Sequence, residues 1–347
     1  MTSPSRRLVL DLNARSASWA LTPAAERAIR DAAPAGWEVV AVRALTSSDG
    51  DGALAPSDEA LAAIGPAEVY VGFGITPPLF RTAPALRWVH SAAAGVRGAL
   101  FPEMLASPVL LTNSAGVHGV PIAEYVLAGV LHLMRGLDLA GEQQRERRWD
   151  KSRFVGEGSP LRELGDARVL IVGVGGLGGE VATRMAAFGA RCVGLRRRPT
   201  LGTPPGFVRV ASLDAVDDEL ASADVVVLAA PWTPETDGLL SARRLALLKT
   251  SAIVVNVARG SLVDESALAS ALAAGGLRGA VLDVFREEPL PADSPLWAMR
   301  QVVLTPHVSP VTPGRFWDRQ LDLILDNWRR YLEGAPLRNL VDKHAGY

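Results

Sequence analysis

The stretch Gly173-Val-Gly-Gly-Leu-Gly178 constrains this chain more than any other. An apolar run, Val169-Leu-Ile-Val172, precedes it, and a helical pattern through Phe188 follows it. A strand that passes into a helix through glycines spaced G-x-G-x-x-G is the opening crossover of a doubly wound α/β sheet. Gly173 lets the chain turn tightly, Gly175 lets backbone approach a pyrophosphate, and Gly178 lets the helix pack close to the strand. The helix start then offers N–H groups and a positive dipole end to phosphate. Outside such a setting the same glycines are only a flexible turn. Within it they predict a dinucleotide site.

The rest of the chain keeps the same beat. After Ala167, strands are expected at Val169–Val172, Cys192–Leu195, Asp224–Leu228, Ile253–Val257, Ala280–Leu282 and Val302–Leu304, with helical patterns between them, as at Asp264–Ala274. Before it, strands are expected at Leu8–Leu12, Trp37–Val42, Leu86–His90 and Val109–Thr112. A helix is expected at Pro23–Ala33, capped by Thr22. Strands alternating with helices predict parallel sheets covered on both faces. A long helix from Pro121 past Arg135 is apolar on most sides, which predicts burial between domains or subunits. The irregular segment Trp149–Pro160 follows it. The last helix, Phe316–Glu333, carries an apolar stripe that can only return to the first domain.

At 347 residues the chain exceeds what one core usually serves. Its 36 basic and 37 acidic residues give no reason to expect a nucleic-acid or membrane partner. The single cysteine, Cys192, lies in an apolar run and reads as a buried strand residue, which fits a reducing compartment. No window approaches the ~18 apolar residues of a membrane span, and Leu8-Val-Leu10 is too short for a signal-peptide core. The expectation is a soluble cytoplasmic protein. No residue cluster has metal-ligand spacing.

An NAD site ordinarily ends its second strand with an acid that binds the adenosine ribose. Here that strand runs into Arg196-Arg-Arg198, and Arg196 stands where the acid belongs. An arginine attracts a 2′-phosphate and can grip it bidentately, so NADP is expected as the preferred cofactor and NAD as the alternative. Arg197 and Arg198 read as solvated loop charges.

Ligands collect beyond the carboxyl ends of the strands in an open α/β sheet. After Ile253–Val257 come Ala258 and Arg259. After Ala280–Leu282 come Asp283, Glu287 and Glu288. After Val302–Leu304 come Thr305, Pro306 and His307. An arginine, one or two carboxylates and a histidine thus meet at one edge. That set suits hydride transfer to a 2-keto acid. Arg259 can clamp the substrate carboxylate or polarise its carbonyl, and His307 can give the carbonyl oxygen its proton. A carboxylate bonded to His307 would favour the imidazolium and orient the ring.

These residues, with Asn113-Ser-Ala-Gly-Val-His-Gly119, Pro121-Ile-Ala-Glu124, Pro231-Trp-Thr-Pro-Glu-Thr236, Asn256-Val-Ala-Arg-Gly260 and Thr305-Pro-His307, make the sequence similar to the D-isomer-specific 2-hydroxyacid dehydrogenase family over nearly its whole length. The resemblance implies two Rossmann-like domains with doubly wound parallel sheets. The NAD(P)-binding domain, 113–309, is inserted into a split flavodoxin-like substrate domain, 1–112 with 310–347. It makes Arg259, Glu288 and His307 the catalytic residues, with Glu288 rather than Glu287 paired to the histidine. It gives Gly176 and Leu177 to the pyrophosphate, Pro231, Val257 and Ala258 to the cofactor pocket, and Asp283 to the nicotinamide amide. It makes Ala94, Gly95 and Val96 the loop whose N–H groups hold the substrate carboxylate. It also implies a homodimer and no macromolecular partner beyond that. Arg196 resembles the NADP-preferring glyoxylate and hydroxypyruvate reductases of the family, and those acids are the expected substrates. Trp149 is a candidate pocket residue, of this or a neighbouring subunit, and His90 a candidate for substrate contact. A dinucleotide-sensing binding protein, such as the co-repressors of this fold, could keep the same arginine, glutamate and histidine; turnover lost on removing His307 discriminates the two.

Overall fold

The computed structural model describes residues 6–46 and 55–346; the ends of the expected substrate domain, residues 1 and 347, lie outside them. These residues form two all-parallel sheets. The first comprises β1 (Arg6–Asp11), β2 (Trp37–Ala41), β3 (Val69–Gly72), β4 (Trp88–Ser91) and β5 (Leu110–Asn113), in the order β2-β1-β3-β4-β5. The second comprises β6 (Arg168–Val172), β7 (Arg191–Leu195), β8 (Phe207–Ala211), β9 (Val225–Leu228), β10 (Ile253–Asn256), β11 (Gly279–Leu282) and β12 (Val302–Leu304), in the order β12-β11-β10-β9-β6-β7-β8. Both orders reverse direction next to their first strand, the switch point at which such sheets gather ligands.

The chain divides into two compact units, one of residues up to His118 with those from Val311 onward, the other Gly119–Pro310. Residues 113–118, expected in the cofactor domain, therefore belong to the first unit. The reason is local: Asn113 N–H donates to Asn339 O at 3.2 Å, and Val341 N–H donates to Leu111 O at 2.8 Å, so the returning terminal segment grips this stretch. The helix Phe316–Glu333 lays Phe316, Trp317, Leu323, Ile324 and Trp328 into the same core as Leu8, Leu10, Val69 and Trp88.

In the second unit the central strand β9 is Val-Val-Val-Leu with every side chain fully buried, the continuous apolar run of a strand covered on both faces. Each such side chain contributes ~1.5–3 kcal/mol relative to exposure. The helix Gly119–Met134 was expected between domains or subunits. It buries Ile122, Val126, Gly129, Val130 and Leu133 within its own unit, against the helix Gly176–Ala187, β10 and β11. A Cβ at Gly129 would stand 2.6 Å from Val281 Cγ1, so glycine sets the closeness of that contact. No single helix among the described residues is long and apolar enough to cross a membrane.

Two strands had no counterpart in the sequence reading. β3 is four residues long, and β8 has one buried, two exposed and two half-buried positions at the end of its sheet. The expected irregular segment 149–160 contains one short helix, Ser152–Val155.

Candidate functional site

The glycine turn is built as its spacing requires. Gly173 has φ 108°, and a Cβ there would meet Ala229 O at 2.5 Å, so only glycine lets β6 turn beside β9. A Cβ at Gly178 would run into Gly173 O. Gly175, by contrast, faces nothing within 4 Å and caps the helix Gly176–Ala187, whose first N–H groups have no partner within the helix. This cradle fits a pyrophosphate, and Gly176 and Leu177 occupy its rim.

At the end of β7 the Arg196 side chain turns back over its own loop, with Nη2 donating to Gly202 O at 2.6 Å. Its Nε is buried and meets no acceptor among the described residues. A buried donor without a partner costs ~1–3 kcal/mol, and a phosphate oxygen would satisfy it. Arg197 pairs with Glu235 at 3.3 Å, while Arg198 is exposed. Pro231, exposed after β9, has its carbonyl held by Thr236 Oγ1 at 2.8 Å. Val257 and Ala258 follow β10 and are buried, with Ala258 N–H donating to Asn256 Oδ1 at 3.1 Å.

The edge beyond β10, β11 and β12 brings the expected triad together. His307 Nδ1 lies 2.9 Å from Glu288 Oε2, and Glu288 Oε1 accepts Phe285 N–H at 2.9 Å. Burial alone would raise the Glu288 carboxyl. The hydrogen bonds from His307 and Phe285 and the positive charges of His307 and Arg259 outweigh it and hold the group below its ordinary value. Arg259 Nη1 donates to its neighbour's carbonyl, Ala258 O, at 2.7 Å, and Asn256 Nδ2 holds Arg259 O at 2.9 Å. Gly260 behind it packs so closely on the Phe285–Arg286 backbone that a Cβ would overlap it.

His307 adopts φ 54°, an uncommon conformation for a side-chain-bearing residue. Asp283 sustains it. Asp283 O accepts His307 N–H at 2.9 Å, Oδ1 accepts Thr305 Oγ1 at 2.5 Å and Val308 N–H at 2.8 Å, and Oδ2 accepts Ser309 N–H at 2.9 Å. Asp283 has no accessible surface, so the nicotinamide contact expected of it is not visible. What the structure assigns it is the 305–309 loop. Tyr125 extends this chain: its hydroxyl lies 2.7 Å from Thr305 Oγ1, and burial pushes the phenol up to about 12. The sequence names Thr305 beside His307 but gives it no role, and does not single out Tyr125. Thr305 had a usable signal, two positions before His307; Tyr125, far away in the chain, had none.

In the first unit the loop after β4 presents the expected carboxylate-holding residues. Ala94 is exposed and Gly95 half-buried, while Val96 is buried. The N–H groups of all three meet no acceptor among the described residues. His90, a candidate for substrate contact, is instead fully buried, 2.8 Å from Thr112 Oγ1 and 3.1 Å from Gln320 Nε2. Burial lowers its imidazole to about 3. Trp149 is 91% exposed.

Residues 127–309 match the model of the D-isomer specific 2-hydroxyacid dehydrogenase, NAD binding domain. The chain is 36% identical over 307 residues, 88% of its length, to a D-3-phosphoglycerate dehydrogenase of Mycobacterium bovis, but spans only 56% of that protein. It is 34% identical to a glyoxylate/hydroxypyruvate reductase A of Escherichia fergusonii, over 84% of this chain and 88% of the relative. The crystal structure of a D-isomer specific 2-hydroxyacid dehydrogenase from Xanthobacter autotrophicus Py2, in complex with NADPH and MES, superposes with a TM-score of 0.79 at 33% identity, covering 99% of this chain and all of that one.

Proposed function

The chain belongs to the D-isomer specific 2-hydroxyacid dehydrogenase family, and from that premise we propose that it reduces a small 2-keto acid, glyoxylate or hydroxypyruvate, to its 2-hydroxy acid, with NADP(H) preferred over NAD(H). The observation that carries the reading is the 2.9 Å pairing of His307 Nδ1 with Glu288 Oε2 on the edge that also bears Arg259.

The bound nicotinamide supplies a hydride. Reduction of a carbonyl needs in addition one proton at oxygen and positive charge to draw electrons there. Glu288 fixes the His307 ring through Nδ1–H and stabilises its protonated form, so Nε2 is the atom that gives the proton to the carbonyl oxygen and takes it back in the reverse direction. Arg259 binds the substrate carboxylate and polarises the carbonyl. Glycines 173, 175 and 178, with the N–H groups of Gly176 and Leu177, hold the pyrophosphate. Pro231, Val257 and Ala258 line the nicotinamide end. Arg196 takes the 2′-phosphate, which satisfies its buried Nε. Ala94, Gly95 and Val96 hold the substrate carboxylate through backbone N–H groups. A cytoplasmic homodimer belongs to the same reading, on the family resemblance.

Glyoxylate and hydroxypyruvate are favoured by Arg196 and by the Escherichia relative, which this chain covers over most of its length. The test follows absorbance at 340 nm with NADPH and NADH in parallel against glyoxylate, hydroxypyruvate, pyruvate, phenylpyruvate and branched 2-keto acids, with 3-phosphoglycerate oxidation as a further arm. Fastest turnover of NADPH with glyoxylate or hydroxypyruvate is the expected result. Preference for NADH would overturn the role of Arg196, preference for 3-phosphoglycerate the substrate, and no turnover by protein that binds the cofactor the enzymatic reading itself.

A further inference from the structure

The loop that follows β4 is aimed by two residues that adjoin it in space though not in sequence. In the parallel pair β4–β5, Ser91 stands opposite Asn113. Beyond that point Ser114 N–H donates to Ala93 O at 3.1 Å, and Asn113 Nδ2 donates to Ala94 O at 2.8 Å. Asn113 Oδ1 accepts Ala115 N–H at 3.2 Å, which fixes the amide so that nitrogen, not oxygen, faces Ala94. Ser114 Oγ donates to Ser91 O at 2.9 Å, and Ser91 Oγ accepts Ala93 N–H at 3.3 Å. Asn113 is itself clamped: Asn339 Nδ2 donates to Asn113 O at 3.1 Å and to Ala115 O at 2.8 Å.

In a planar trans peptide the C=O and N–H bonds point in opposite directions. Turning Ala93 O toward Ser114 therefore turns Ala94 N–H away from β5, and turning Ala94 O toward Asn113 turns Gly95 N–H away in the same sense. Those two N–H groups, with that of Val96 beside them, are the ones that meet no acceptor among the described residues. Successive N–H groups aimed together form an anion-binding concavity. We infer that Asn113 is a positioning residue for the substrate carboxylate: it touches no substrate atom, but by holding Ala94 O it aims the Gly95 N–H, while Ser114 aims the Ala94 N–H through its backbone. The inference rests on the reading of this loop as the carboxylate holder.

The test uses the full-length protein with NADPH, glyoxylate as substrate and oxalate as a non-reacting dicarboxylate. Asn113→Ala is expected to raise both the KM for glyoxylate and the inhibition constant of oxalate about tenfold, the loss of one N–H bond to a charged group. kcat and the Kd for NADPH should stay within about twofold, since uniform binding alone is removed. Asn113→Asp replaces the donor with a charged acceptor and should raise the KM further. A merely structural Asn113 would lower the melting temperature and leave KM and the oxalate constant in place, and that result overturns the inference. If neither Asn113 variant folds, hydrogen exchange of the wild-type NADPH complex decides: oxalate should protect the amides of residues 94–96, and unchanged exchange there overturns the inference. Lack of turnover with protection retained would instead count against the enzymatic reading alone.

Discussion

Two histidines stand at the carboxyl edges of the two sheets, and their surroundings make them opposites. His90, within β4, has no exposed surface and faces Thr112, Ser114 and Gln320, none of which carries charge. His307, just past β12, keeps about a third of its side chain exposed and faces a carboxylate. The neutral cage pushes the His90 imidazole down to about 3, which removes it from proton chemistry at physiological pH. The Glu288 pair supports the charged ring that proton donation needs. Position at a sheet edge therefore selects candidates, and the partner on the ring decides between them.

The largest expected effect tests the His307 half of this contrast. His307→Ala should lower kcat for keto-acid reduction by about 10³, within the ~10²–10⁴ range of general acid–base catalysis, and leave NADPH binding in a fluorescence titration intact. A loss of only a few-fold would break the contrast. Glu288→Gln keeps the shape but removes the charge, and should cost about 10² in kcat. The sign of its pH dependence follows from the depressed carboxyl. The pair is formed above the ordinary glutamate value of 4.5 and is lost as pH falls through the lower folded value. The wild-type kcat profile should therefore show no loss from Glu288 protonation until pH is below 4.5.

Smaller in rate, Arg196→Ala should lower kcat/KM with NADPH by about tenfold to a hundredfold, the value of a charge-assisted bond to phosphate. NADH kinetics should not change, and an equal loss with both cofactors would remove Arg196 from 2′-phosphate recognition. Least of all should His90→Asn affect turnover by folded protein; if it slows kcat as His307→Ala does, the two histidines are not opposites. Its effect belongs to stability. A histidine whose folded value is depressed stabilises the protein above its unfolded value of 6.5, and that stability is lost as pH falls toward about 3. Urea midpoints of the wild type should thus fall below pH 6.5, by up to ~1.4 kcal/mol per pH unit, and those of His90→Asn should fall less steeply.

What could be read before the structure was whatever carries its signal in neighbouring residues. The glycine turn, the apolar cores of β6, β7 and β9–β12, and the residues just past β10–β12 are all of this kind. β3, Val69-Tyr-Val-Gly72, is as short and as buried as β4, so its length does not explain why it escaped. β8 escaped because an edge strand with Val208 and Arg209 exposed lacks the apolar run of its neighbours. Within the site, Arg259, Glu288 and His307 follow strands directly, whereas Asn113, Tyr125 and the partners of His90 act across 19, 180 and up to 230 residues of chain. Pairings at such separations are chosen by tertiary packing, which leaves no local pattern. Asp283 follows a strand as the others do, but its hold on the 305–309 loop spans 22 to 26 residues of chain and so leaves no local pattern.

The seat of Gly260 has a consequence for how freely this protein can vary. Because its missing Cβ lets the Arg259–Gly260 backbone nest on Phe285–Arg286, the arginine and the segment leading to Glu288 share one mounting. A saturation scan should find position 260 as intolerant of replacement as the acid–base pair itself, although it meets no reacting atom. Redesign of the pocket must accordingly treat residues 259–260 and 285–288 as a single block, exchanged together or left alone.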